Sequence, residues 1–122
     1  MVWITKYRYQ VLQREVRLRI RDIIKQVCGE LGVEIIKGVL FKEHIHLFVN
    51  IPPKIAVSDF VRRAKGRSSH KVQREFPDLK KRYWGRCFWA RGYFSTTSGQ
   101  ITDEAILQYI DSHTGKPTDI NR

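Results

Sequence analysis

The chain has 122 residues, with 23 lysines and arginines against 12 aspartates and glutamates, a formal charge of +11 at neutral pH. Hydrophobic content of 42% and aromatic content of 11% exclude a disordered basic tail, and the length leaves room for one core rather than two. A basic excess of this size disfavours cationic partners and points to a polyanion, nucleic acid foremost.

Val2 to Tyr9 alternates and is rich in β-branched and aromatic residues, so it reads as a strand. From Gln13 to Leu31 the apolar positions Val16, Ile20, Ile23, Ile24, Val27 and Leu31 recur at helical spacing, and Gly32 supplies a stop. Val33 to Phe41 reads as a second strand. Lys42-Glu43 turns the chain, and His44 to Ile51 forms a third strand that Pro52-Pro53 breaks. Val57, Phe60, Val61 and Ala64 mark a second helix, which Gly66 is expected to interrupt before Val72 and Phe76 and Pro77 to end. Lys80 to Arg86 reads as a basic loop, and Phe88 to Thr97 as a fourth strand with Trp89 and Phe94 packed inward. Thr102 is placed to cap a final helix whose first turn holds Asp103 and Glu104, with Ala105, Ile106, Tyr109, Ile110 and His113 along one side. Gly115 and Pro117 end that helix and leave residues 114–122 as an expected flexible tail.

The order β-α-β-β-α-β followed by a helix predicts an α+β fold, the ferredoxin-like split βαβ arrangement, as a single domain over residues 1–122. Such a sheet hosts many unrelated functions, so function has to be argued from the site. Cys28 and Cys87 stand in apolar surroundings without CxxC spacing and read as reduced thiols. No stretch approaches the roughly 18 apolar residues of a membrane span, and no signal-peptide core is present, so a cytoplasmic location with no membrane partner is expected.

His44 and His46 bracket Ile45 on one strand, and a strand turns residues i and i+2 to the same face. That places two imidazoles side by side, with Ile45 directed into the core and both histidines away from it. Tyr109 and His113 stand four apart and share a helical face. Two imidazoles suit Mn²⁺, Fe²⁺, Zn²⁺ or Co²⁺ and suit Mg²⁺ less well. Taken alone, each feature has a plainer reading. Histidines in a buried strand are often satisfied by hydrogen bonds, and a tyrosine on an apolar helix face is ordinarily core. A structural zinc site would need four ligands, and neither cysteine is spaced to complete one. Three ligands with open coordination positions describe a catalytic metal instead, with Tyr109 as a candidate nucleophile.

Five segments then resemble the single-tyrosine HUH transposases, the small enzymes of insertion sequences that move as single-stranded DNA. They are Trp3-Ile4-Thr5-Lys6-Tyr7-Arg8-Tyr9, His44-Ile45-His46 followed by Pro52-Pro53, Lys65-Gly66 with Ser68-Ser69, Phe88-Trp89-Ala90-Arg91-Gly92-Tyr93-Phe94, and Tyr109-Ile110. They stand in family order over nearly the whole chain, and the relatives of this family include the REP-associated tyrosine transposases. The resemblance implies that His44, His46 and His113 bind Mg²⁺ or Mn²⁺. It implies that Tyr109 attacks the scissile phosphate, leaving a 5′-phosphotyrosine link and a free 3′-hydroxyl, with a second transesterification joining new ends. It further implies subterminal DNA hairpins as partner, and a homodimer in which the tyrosine helix of one subunit serves the histidine pair of the other. The family's third ligand is typically Gln where His113 stands, and its usual Asp before the pair is Glu43.

Arg62, Arg63, Lys65, Arg67, Lys80, Lys81, Arg82, Arg86 and Arg91 are candidates for phosphate contact, with Tyr83 and Trp84 available to stack on unpaired bases. Their plainer reading is a solvated charged face. Two rivals remain at this level. One is another HUH endonuclease, a replication initiator or a domesticated nuclease of repeat hairpins. The other is a non-catalytic single-strand-binding module, which predicts exposed sheet aromatics and binding indifferent to chelators.

Overall fold

The computed structural model describes residues 1–83, 88–95 and 118–119. Strand β1 (Val2–Ile4) leads through a 3-10 turn at Lys6–Arg8 into helix α1 (Arg14–Leu31). Strands β2 (Glu34–Leu40) and β3 (His44–Asn50) follow, then helices α2 (Val57–Glu75) and α3 (Pro77–Arg82), and a two-residue strand β4 (Thr118–Asp119). The sheet order is β1-β3-β2-β4, antiparallel at every pairing.

Register explains which side chains meet. Trp3 lies opposite Ile45, which lies opposite Leu40, and all three are buried against the helices. Helix α1 contributes Ile20, Ile23, Ile24 and Val27, and α2 contributes Phe60, Val61, Ala64 and Val72, each set at the three- and four-residue spacing of one helical stripe. The two helices are tied at their exposed edges by Arg19–Glu75 at 2.8 Å and by an Arg67–Glu30 ion pair. Gly32 ends α1 in the left-handed region at φ 70, where it costs nothing, and donates its N–H to Cys28.

Several sequence expectations change. β1 stops at Ile4 because the chain turns at Tyr7, a non-glycine residue with φ 60 and ψ 14. Gly66 does not interrupt α2, which runs unbroken to Glu75. Pro77 follows the end of α2 and opens α3, which takes Lys80–Arg82 out of the expected basic loop, since proline is well suited to a first helical turn and Leu79 is buried. The fourth strand is present as two isolated bridges, Val2 to Phe94 and Thr5 to Trp89, along the outer edge of β1. Between the two bridges the outer segment has four residues against two on the β1 side, and Gly92 at φ 78 takes up the excess, so a continuous ladder cannot form. Trp89 is buried as expected, whereas Phe94 is 56% exposed. Thr118 and Asp119, expected in a tail, pair with Leu40 and Val39 on the far edge. The helix expected to carry Tyr109 and His113 lies outside the described residues, as does Cys87. No helix among the described residues is long and apolar enough to cross a membrane.

Candidate functional site

The histidine pair sits on the face of β3 opposite the main core. Val2 and Val39 lie across from His46, and Ile4 lies across from His44, so both imidazoles occupy the face that Ile45 and Leu47 leave. Val2, Phe41 and Val39 form a small apolar cluster on that side. Sidedness is therefore as the alternation predicts. His44 is completely enclosed on that face.

Two local contacts hold His44. Its ring stacks on Phe41, with centroids 4.3 Å apart and planes 11° from parallel. Its Nδ1 lies 3.3 Å from a carboxylate oxygen of the buried Glu43. A carboxylate at Nδ1 draws the ring proton to that nitrogen and leaves the Nε2 lone pair for a ligand, the arrangement that orients metal-binding histidines. Sequence alone marked Glu43 only by its position. The signal for Phe41 was its place three residues before His44, across a turn tight enough for the Phe41 N–H to donate to the His44 carbonyl at 2.9 Å.

His46 is half-buried, and its pKa is pushed down to about 4, first by burial and then by the N-terminal ammonium, His44 and Lys37. At neutral pH it is an uncharged donor, as coordination requires. Two imidazoles on one face, one of them oriented by a carboxylate, fit a divalent cation. Among the described residues no group of three or more His, Cys, Asp or Glu is arranged to hold a metal ion. His113 and the nucleophile candidate Tyr109 both lie outside the described residues.

Beside the pair, the turn after β1 is pinned in place. Thr5 is buried; its N–H donates to the Glu43 carbonyl at 2.8 Å and its hydroxyl to the Tyr9 carbonyl at 2.7 Å. The Leu12 N–H donates to the Lys42 carbonyl at 2.9 Å. The turn that carries Glu43 and the turn that carries Tyr7 are thus one bonded unit.

The basic candidates separate by their partners. Lys65 Nζ donates to the Ala90 and Gly92 carbonyls, which the excess residues push out of the ladder, so it holds the outer segment. Ser68 and Ser69 complete the clasp by accepting the Trp89 indole N–H at 2.8 Å and the Phe88 backbone N–H at 3.0 Å. The Lys65, Ser68 and Ser69 motif is therefore architectural in this fold. Arg62 pairs with Asp59 at 3.0 Å, and Arg67 pairs with Glu30. Arg63 and Arg91 are exposed. Of Arg82 only the backbone is described, and Arg86 and Trp84 lie outside the described residues. Tyr83 is buried against Tyr9 and Phe88, which removes it as a stacking surface.

Comparison with known proteins now bears on the geometry. The family model for IS200-like transposases matches residues 1–113. The chain is similar to the ISDra2 transposase TnpA of Deinococcus radiodurans, at 34% identity over 116 residues, which covers 95% of this chain and 83% of the relative. A solved structure of a transposase candidate from Deinococcus radiodurans R1 superposes with a TM-score of 0.78 at 32% identity, over 94% of this chain and 88% of that one. A REP-associated tyrosine transposase bound to a REP hairpin shares the fold, with a TM-score of 0.64 at 20% identity over 89% of this chain and 61% of that one.

Proposed function

The chain belongs to the family of IS200-like transposases, and on that premise we propose that it cuts and rejoins single-stranded DNA at insertion-sequence ends. The observation that carries the mechanism is the pair His44 and His46 on one face of β3, with Glu43 on the Nδ1 of His44. A Mg²⁺ or Mn²⁺ ion held by His44, His46 and His113 would polarise the scissile phosphate and offset charge as it develops. Glu43 keeps the His44 ring in one orientation and tautomer, and the low pKa of His46 keeps it unprotonated. Tyr109 supplies the phenol oxygen that forms a bond to phosphorus as the bond to the 3′-oxygen breaks, giving a 5′-phosphotyrosine and a free 3′-hydroxyl. The reverse attack by another 3′-hydroxyl releases Tyr109 and joins new ends, so the phosphodiester energy is conserved without ATP.

The same reading extends to the assembly. The Phe88–Phe94 segment acts as the fourth strand of a ferredoxin-like sheet, and a C-terminal helix brings Tyr109 and His113 to the histidine pair of a second subunit. The partner is single-stranded DNA with subterminal hairpins, the working unit is a homodimer of one-domain subunits, and the location is cytoplasmic.

The test mixes the protein with labelled single-stranded DNA from the flanks of its own gene and Mn²⁺, on a denaturing gel beside Tyr109→Phe. A covalent protein–DNA band that the variant lacks is expected. An equal band from Tyr109→Phe would remove the tyrosine from the mechanism.

A further inference from the structure

Two large aromatic side chains stand in solvent at the two ends of β1, the strand that pairs with His44 and His46. Tyr7 is 68% exposed and Phe94 is 56% exposed. Phe94 bridges to Val2, and Val2 lies opposite His46, so Phe94, Val2 and His46 form one row across the sheet. Side chains in such a row share a face. Phe94 thus stands on the histidine face, one strand away from His46. Tyr7 follows Ile4, the residue opposite His44, after the Thr5 anchor to Glu43.

Tyr7 is also held where a free chain would rarely leave it. Its φ of 60 lies in the left-handed region that side chains disfavour, and such outliers gather at functional sites. The surroundings fix it there: the Lys6 N–H donates to the Phe88 carbonyl at 2.9 Å, and Thr5 bridges Glu43 and Tyr9. Lys6 Nζ sits 5.3 Å from the Tyr7 ring centroid, and the Tyr9 ring lies 5.4 Å away. From Tyr9 the aromatic contacts continue inward through Tyr83, Phe88 and Trp89 to the buried Trp3. An exposed ring with a cation beside it, seated on a buried aromatic column, is built to receive another flat ring rather than to fill a core.

We propose that Phe94, on the His44–His46 face, and Tyr7, beyond the other end of β1, are positioning residues that stack on unpaired nucleobases of the bound DNA strand. This rests on the transposase reading. The two rings stand towards opposite ends of β1, so the bases they hold fix where the strand passes the edge beside the histidine pair. An unpaired strand is required because a duplex keeps its base faces covered by neighbouring pairs.

The test titrates a fluorescein-labelled single-stranded oligonucleotide with the whole chain, Tyr7→Gly, Phe94→Ala and Tyr7→Phe. Glycine takes a φ of 60 without strain and Phe94 is solvent-exposed, so removing either ring leaves the fold intact. Each ring-removing variant is expected to bind roughly five- to 150-fold more weakly, the range seen for removal of one base stack, while Tyr7→Phe binds as the parent does. The dependence on salt should not change, because no charge is removed. An abasic residue scanned along the oligonucleotide should weaken the parent at one position and leave Tyr7→Gly unaffected there, which a merely structural role would not produce. Parent-like affinity in both ring-removing variants overturns the proposal and leaves the transposase reading standing. Unchanged affinity with a shift from dimer to monomer overturns it in favour of a contact between two copies of the chain. A parent that binds the single strand no better than a duplex overturns both readings together.

Discussion

His46 shares its face of β3 with Val2 and Val39, and that apolar setting sets how it titrates. The imidazolium forms in the unfolded chain near the ordinary value of 6.5 and in the folded chain only near about 4. Between those values the unfolded state binds more protons, so stability falls as pH drops through the interval and recovers as it rises. Urea unfolding of the metal-free protein across pH 4 to 6.5 should show this slope, and His46→Leu should flatten it. An unchanged slope in the variant would mean that the imidazole is solvated in the free protein. Glu30 and Glu75, lowered by their bonds to Arg67 and Arg19, act at the bottom of this range, where protonation weakens both helix clasps as pH falls. The burial of His44 is a different matter. It depends on a ring stack and a carboxylate supplied by its own turn, and no pattern of apolar and polar letters encodes a stacking geometry.

At the scale of elements, the sequence was most legible where periodicity was strong and long. Helix α1 begins one residue from the expected start and ends where Gly32 was expected to end it. The alternation His44-Ile45-His46-Leu47 correctly divides β3 into a core face and a histidine face. The reading failed where a local preference met a tertiary demand. Gly66 stays helical because α2 is held on both sides, by Ala64 and Val72 in the core and by Lys65 on the outer segment. The outer strand is irregular because its length does not match β1, which no single segment reveals. Gly66 has a measurable consequence. Nothing lies within 4 Å of the Cβ it would carry, so Gly66→Ala should stabilise α2 by about 1 kcal/mol, through helix propensity alone. A rise in melting temperature of about 3–5 °C is the expected reading. A fall would reveal a close approach to the glycine in the folded protein.

Over the whole molecule, the charge of +11 is less available than its size suggests. Arg19 and Arg67 are committed to glutamates that hold α1 against α2, Arg62 to Asp59, and Lys65 to backbone carbonyls. A cation already paired releases little counterion when a phosphate arrives, so these residues serve the fold before they serve a ligand. Arg63 and Arg91 are exposed, and Arg91 lies on the same outer segment as Phe94. The molecule therefore divides its basic residues between architecture and contact, a division that composition conceals because both kinds count alike. Single-strand affinity of Arg63→Ala/Arg91→Ala should fall, and its log–log slope against salt should shrink by up to roughly 1.4, about 0.7 for each phosphate that is no longer neutralised. Arg67→Ala should instead lower thermal stability modestly, since the exposed Glu30 partner is screened by solvent, and leave the salt slope unchanged. The reverse result, a slope that responds to Arg67 and not to Arg91, would place the DNA across the helices rather than along the edge that leads to His46.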